Sequence, residues 1–125
     1  MKTWSKDWKS SKQPRKQRKY AAKAPLHVAK KFLSTLLSES LRKKYNKRNI
    51  PLRKGDTIKV LRGQFKGTTG KIEKVFTKLH RVAVEGVYLT KKDGNRTIYR
   101  LHPSKLMITE LNLEDKKRVK PLERK

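Results

Sequence analysis

The sequence predicts a mainly β protein, a small β-barrel with a basic, partly helical N-terminal extension and a short charged C-terminal tail. Three observations carry this expectation. Over residues 48–111 the apolar side chains recur with a period of two, in short runs separated by glycine-bearing turns. Just before them the apolar spacing is three and four, the helical period. The charge also changes in kind, from 16 basic and 2 acidic residues over 1–50 to 20 and 8 over 51–125. The first part is almost pure cation, whereas the second mixes signs as a folded surface does.

Residues 1–24 read as an extension that is disordered when free. Ser, Gln, Lys and Arg dominate it, and apart from Met1 it lacks large aliphatic residues. Such a segment buries too little apolar surface to offset its ordering entropy. Lys12, Arg15, Lys16, Arg18 and Lys19 form a cluster suited to tracking phosphates. Trp4, Trp8 and Tyr20 are interleaved with these cations, an arrangement that suits base stacking. The two tryptophans suit contact with a neighbouring protein equally well.

Residues 25–47 read as helical. Pro25 fits a first helical position. Leu26, Ala29, Phe32, Leu33, Leu36, Leu37, Leu41 and Tyr45 then form an apolar stripe, the pattern of a packed face. Ser38 is placed to cap a second short helix, so one helix with soft points and two short helices both fit.

The barrel expected over 48–111 begins with Thr57–Leu61, where Ile58 and Val60 share a face. Further short strands follow around Ile72–Val75, Val82–Val84, Tyr88–Thr90, Thr97–Leu101 and Leu106–Ile108. Between the fourth and fifth of these runs, Asp93-Gly94 is a hairpin signal. Residues 112–125 form the charged tail, with Asn112 a candidate helix cap before Leu113.

The net charge of +26 requires a polyanion to offset self-repulsion. Nucleic acid is the natural one, since each neutralised phosphate releases condensed counterions. A membrane partner is not expected, because no long apolar stretch or apolar-faced basic helix is present. The absence of cysteine removes disulfides, thiolate nucleophiles and Cys-ligated zinc. His27, His80 and His102 lack companion ligands and read as surface or RNA-facing groups rather than a metal site. Asp56, Glu73, Glu85 and Asp93 read as surface ion-pair partners, with Asp56 alternatively capping its own turn. A phosphate-binding P-loop fails at Phe65 and Ile72, where glycine and Ser/Thr would be needed. No nucleophile stands beside a base, so no enzyme activity, cofactor or small-molecule substrate is expected.

The most informative stretch runs from Arg53 to Ile72. A strand ending at Leu61 is followed by a loop holding Gly63, Gly67 and Gly70, and then by a second strand. Glycine permits a left-handed turn there and lets backbone N–H groups approach a phosphate, while Arg62, Lys66 and Lys71 supply charge.

Gly55-Asp56, Ile58, Val60, Gly63, Lys66-Gly67, Gly70, Ile72 and Val75 together resemble a KOW motif. The flanks Asn49–Asp56 and His102–Leu106, with Gln13–Lys19 and Ala24–His27 upstream, are similar to the archaeal and eukaryotic form of the universal large-subunit ribosomal protein numbered twenty-four. The resemblance covers roughly Lys12 to Lys117; Met1 to Ser11 lies outside it. It implies an SH3-like barrel that binds large-subunit ribosomal RNA directly near its 5′ end. It also implies a role in nucleating early assembly, and a place outside the subunit near the peptide exit tunnel. Arg53, Lys54, Arg62, Gln64, Lys66, Lys71, Ser104 and Lys105 are the barrel residues it marks as RNA contacts. Neighbouring large-subunit proteins are the other implied partners. The chain is expected in the cytoplasm, bound to the ribosome and not as a homo-oligomer. KOW-type transcription elongation factors and small basic chromatin proteins are the competing classes. The former usually carry another folded domain before the motif, and the latter use an apolar wedge on DNA without an arginine-rich extension.

Overall fold

The computed structural model describes residues 4–124, so the first three residues of the extension and the last of the tail lie outside it. Among the described residues eight strands form two sheets. Six are ordered β2 (Asn49–Pro51), β1 (Ser34–Leu37), β8 (Leu106–Glu110), β3 (Thr57–Val60), β4 (Thr69–Phe76) and β5 (Arg81–Val84), while β6 (Tyr88–Thr90) and β7 (Arg96–Ile98) make a separate hairpin.

The extension is helical where helix formers concentrate. After a 3₁₀ turn at Lys6–Ser10, α1 spans Pro14–Lys23 with proline in its first turn and no buried residue. Ala24 is extended because Pro25 follows it, and the helix stops there. A short helix α2, Leu26–Ala29, and a 3₁₀ turn, Lys30–Leu33, lead inward to buried Ala29 and Leu33.

The helical expectation for 25–47 fails at its centre. Ser34–Leu37 is strand β1, with Thr35 and Leu37 buried in alternation. It lies antiparallel to β2, Asn49–Pro51, and parallel to β8, Leu106–Glu110. Leu33, Leu36 and Leu37 have helical spacing, but partners some 70 positions away override it. Helix α3, Glu39–Tyr45, then resumes the helical part. Ser38 occupies its N-cap without a capping bond from its side chain, and Asn46, left-handed at φ 50°, ends it.

The expected strands appear as β3 at Thr57–Val60, β4 at Thr69–Phe76 and β5 at Arg81–Val84. The hairpin joins β6, Tyr88–Thr90, to β7, Arg96–Ile98, around Asp93-Gly94. Strand β3 is central, antiparallel to both β4 and β8. Ile58, Val60, Ile72, Val82, Val84, Leu106 and Ile108 point inward from these strands and meet Leu33, Leu37 and Leu52 in one core. A two-way bridge between Val82 and Leu101, both hydrogen bonds at 2.9 Å, continues pairing beyond β5.

The tail is not merely a charged appendage. Helix α4, Lys116–Glu123, buries Arg118 and Leu122. Its cap is Asp115, which accepts from Lys117 N at 2.8 Å. Asn112 turns the chain earlier, accepting from Glu114 N at 3.0 Å, so the cap expected at Asn112 falls three residues too soon. Among the described residues no helix is long and apolar enough to cross a membrane.

Candidate nucleic-acid interface

The loop between β3 and β4 is compact and tied to its own strand. Gly67 N donates to Val60 O at 2.8 Å, and Lys66 N donates to Gly63 O at 3.1 Å. Gly63 and Gly67 take φ +95° and +90°, as the turn requires. Gly70 serves a different need: it lies in β4 opposite Ile58, and a Cβ there would stand 2.4 Å from the Glu85 carbonyl oxygen. Phe65 tucks toward the core and packs at a tilt against Tyr99 with ring centroids 5.1 Å apart, which leaves the polar residues around it outward.

A second segment completes this patch. Leu61 N donates to Lys105 O at 2.7 Å, which joins the loop to the 3₁₀ turn Pro103–Lys105. The Lys105 ammonium reaches within 3.7 Å of where a Gly63 Cβ would sit. Thus Arg62, Gln64 and Lys66 share one surface with Lys105 and the neighbouring Ser104, and all but half-buried Lys105 are exposed. His102 supports the turn: its Nδ1 accepts from Ser104 N at 3.2 Å and lies 2.7 Å from the Ser104 hydroxyl. Burial, then Arg81, His80 and Lys105 nearby, lower its pKa below the ordinary histidine value, which favours the neutral ring. Its place in this turn is a role that residue type alone does not signal.

The other three candidates on the sheet, Arg53, Lys54 and Lys71, stand apart from this patch. Lys71 pairs across from Thr57, at the far end of β3, a strand of four residues that spans ~13 Å. Arg53 and Lys54 occupy the turn before Thr57 on that same side. Arg53 is ion-paired to Asp115, whose carboxyl is held below its usual pKa chiefly by that bond. The cationic residues therefore form two clusters on the sheet. A third cluster comprises exposed Lys12 and, on α1, exposed Arg15, Lys16, Arg18 and Lys19. Arg15, Arg18 and Lys19 share one helical face by their spacing.

Asp56 departs from the surface role read for it. It is fully buried and accepts from Arg53 N at 2.9 Å and Asn112 N at 3.0 Å, as well as from both terminal nitrogens of Arg118. Its turn-capping role stands, and it also anchors the tail. Among the described residues the ion pairs are Lys43–Glu39, Arg53–Asp115 and Arg118–Asp56. Among the described residues most Lys and Arg side chains therefore make no ion pair within the chain, a charge that an external anion would offset.

A family profile that unites eukaryotic ribosomal protein L26 with its archaeal counterpart matches residues 11–125. The large ribosomal subunit protein uL24 of Methanosphaera stadtmanae is 46% identical over 115 residues, covering 92% of this chain and 98% of that relative. With a match across nearly its whole length, the chain belongs to this eukaryotic and archaeal family of ribosomal proteins, a structural and non-enzymatic class.

Proposed function

We propose that the chain is a structural constituent of the large ribosomal subunit, held there by direct contact with the large-subunit ribosomal RNA. The observation that carries this reading is the Leu61–Lys105 tie, since it gathers Arg62, Gln64, Lys66, Ser104 and Lys105 from two separate segments onto one surface. Family membership supports the same reading.

The finer parts follow from the resemblance. The strands over 48–111 act as an SH3-like KOW barrel, a reading supported by the bridge that carries pairing past β5 to Leu101. The protein binds near the 5′ end of the RNA, nucleates early assembly and lies outside the subunit by the exit tunnel, in the cytoplasm, beside other large-subunit proteins. Docking is physical and breaks no covalent bond. The loop and its cationic rim grip backbone, and the extension, residues 1–24, follows RNA and bridges helices that the barrel does not reach.

The test is the triple variant Arg62→Ala/Lys66→Ala/Lys105→Ala, titrated with large-subunit RNA at several salt concentrations. Affinity should fall, and the slope of log K against log salt should lessen by about 2–3, one for each phosphate no longer neutralised. The circular dichroism spectrum should be unchanged. Wild-type affinity and slope in the variant would refute the assignment of this surface.

A further inference from the structure

The extension builds a pocket of about 390 Å³ against the 3₁₀ turn at Lys30–Leu33. Its walls include Trp4, Tyr20 and Phe32, all half-buried. The three rings form a ladder: Trp4 and Tyr20 centroids are 5.2 Å apart, and Tyr20 and Phe32 are 6.1 Å apart. Phe32 rests edge-on against His80 at 5.1 Å, which fixes the ladder to the β4–β5 turn. The Trp4 indole N–H is already committed to Tyr20 O at 3.2 Å, so this side chain meets a ligand with its ring face.

Polar groups at the pocket have one sense. Lys6, Lys9 and Lys31 are exposed at its rim, and among the described residues no acidic side chain lines it. Gln17 donates its amide N–H to Lys9 O at 3.1 Å and to Ser11 O, which fixes the side chain and leaves its Oε1 as an acceptor. The volume lies within the ~300–1,000 Å³ of small-ligand sites. Stacking faces, a fixed amide acceptor and three ammonium groups together match an aromatic base with an amine edge and an attached phosphate. A larger groove of about 790 Å³ beside Leu26, Leu33, Leu52 and Val75 also has a cationic rim, but it has no aromatic wall for a base to stack on.

We infer that the Trp4–Tyr20–Phe32 pocket takes one unstacked nucleotide of an RNA strand, its base on the rings and its phosphate among Lys6, Lys9 and Lys31. This rests on the RNA-binding reading and deepens it, because it makes the extension a reader of single-stranded RNA rather than a cation tail alone. Trp4, Lys6 and Lys9 precede the residues matched by the family profile, whereas Gln17, Tyr20, Lys31 and Phe32 lie within them.

The test uses the full chain carrying Trp8→Phe, so that Trp4 is the only one of the two tryptophans left to report. Labelled RNA anisotropy measures binding, and Trp4 emission measures stacking. A short single-stranded oligoadenylate should bind and quench Trp4. A duplex of the same length and inorganic polyphosphate should bind without quenching. Trp4→Ala, made in the otherwise unaltered chain, should weaken single-strand binding about tenfold, leave duplex binding unchanged, and be largely rescued by Trp4→Phe. Binding of the single strand without quenching, or equal quenching by polyphosphate, would overturn the pocket and leave the RNA-binding reading intact. Quenching by AMP at lower concentration than by the strand would overturn RNA as the source of the base. No binding of any RNA would overturn both readings.

Discussion

Asp56 illustrates how much one residue can hide. Gly55-Asp56 after Arg53-Lys54 is legible as a turn, and the Arg53 N–H does bond the carboxylate. The other partner, Arg118, stands 62 positions away among Lys116, Lys117 and Lys120, where nothing in a lysine-rich stretch distinguishes one guanidinium. Arg118 is 4% exposed and Asp56 0%. Such a pair contributes little by existing but a great deal by not being broken, because removing one member leaves a buried charge alone. Arg118→Ala should therefore cost about 3–5 kcal/mol and lower Tm by roughly 10–20 °C. Asp56→Asn/Arg118→Met should cost less than the sum of the two single changes, since neither charge then remains unpaired. Thermal melts of the four proteins check this; strict additivity would mean that the pair does not couple the tail to the sheet.

At the scale of elements, legibility follows locality. Strands β3 and β8 are readable because burial on one face imposes a period of two on their own residues, whereas β5, with Val82, Ala83 and Val84 all buried, is readable as a short β-branched run. The β6–β7 hairpin is readable because Asp93-Gly94 turns the chain locally, with Gly94 at φ +81°. Strand β1 is not, because four residues of mixed spacing become a strand only when β2 and β8 flank them. Helix α4 escapes for the same reason: its apolar content is slight, and its burial depends on Asp56 and Pro51. For the candidate interface, the glycine-bearing loop and its cations are legible as a turn with a charged rim. Their division into two clusters is not, since it depends on register. The two termini should accordingly respond differently to truncation. Removing residues 1–24 should leave a cooperatively folded sheet with a small change in Tm, because the described residues of that segment add none to the core. Removing residues 112–125 should lower Tm more than Arg118→Ala does, since Leu122 is lost as well. Calorimetry of both truncations decides the matter, and the reverse order would place the structural role in the extension.

Across the whole molecule the dominant quantity is charge. A net +26 on 125 residues, with few internal ion pairs among the described residues, makes the folded chain half of an electrostatic complex. The three cationic clusters lie on separate elements, so binding through all of them should make affinity steeply salt-dependent and still leave the protein anchored when one cluster is disrupted. In the proposed docking the aromatic and glycine-bearing contacts also lie against RNA, and that part of the affinity depends less on salt than the phosphate contacts do.

Binding to the large subunit is tested most directly by sedimentation of the tagged chain from cell lysate through sucrose gradients, in moderate and then high salt. The chain should travel with the large ribosomal subunit at both. A chain that runs free, or that follows RNA polymerase or DNA, would contradict the ribosomal assignment of its cationic surfaces.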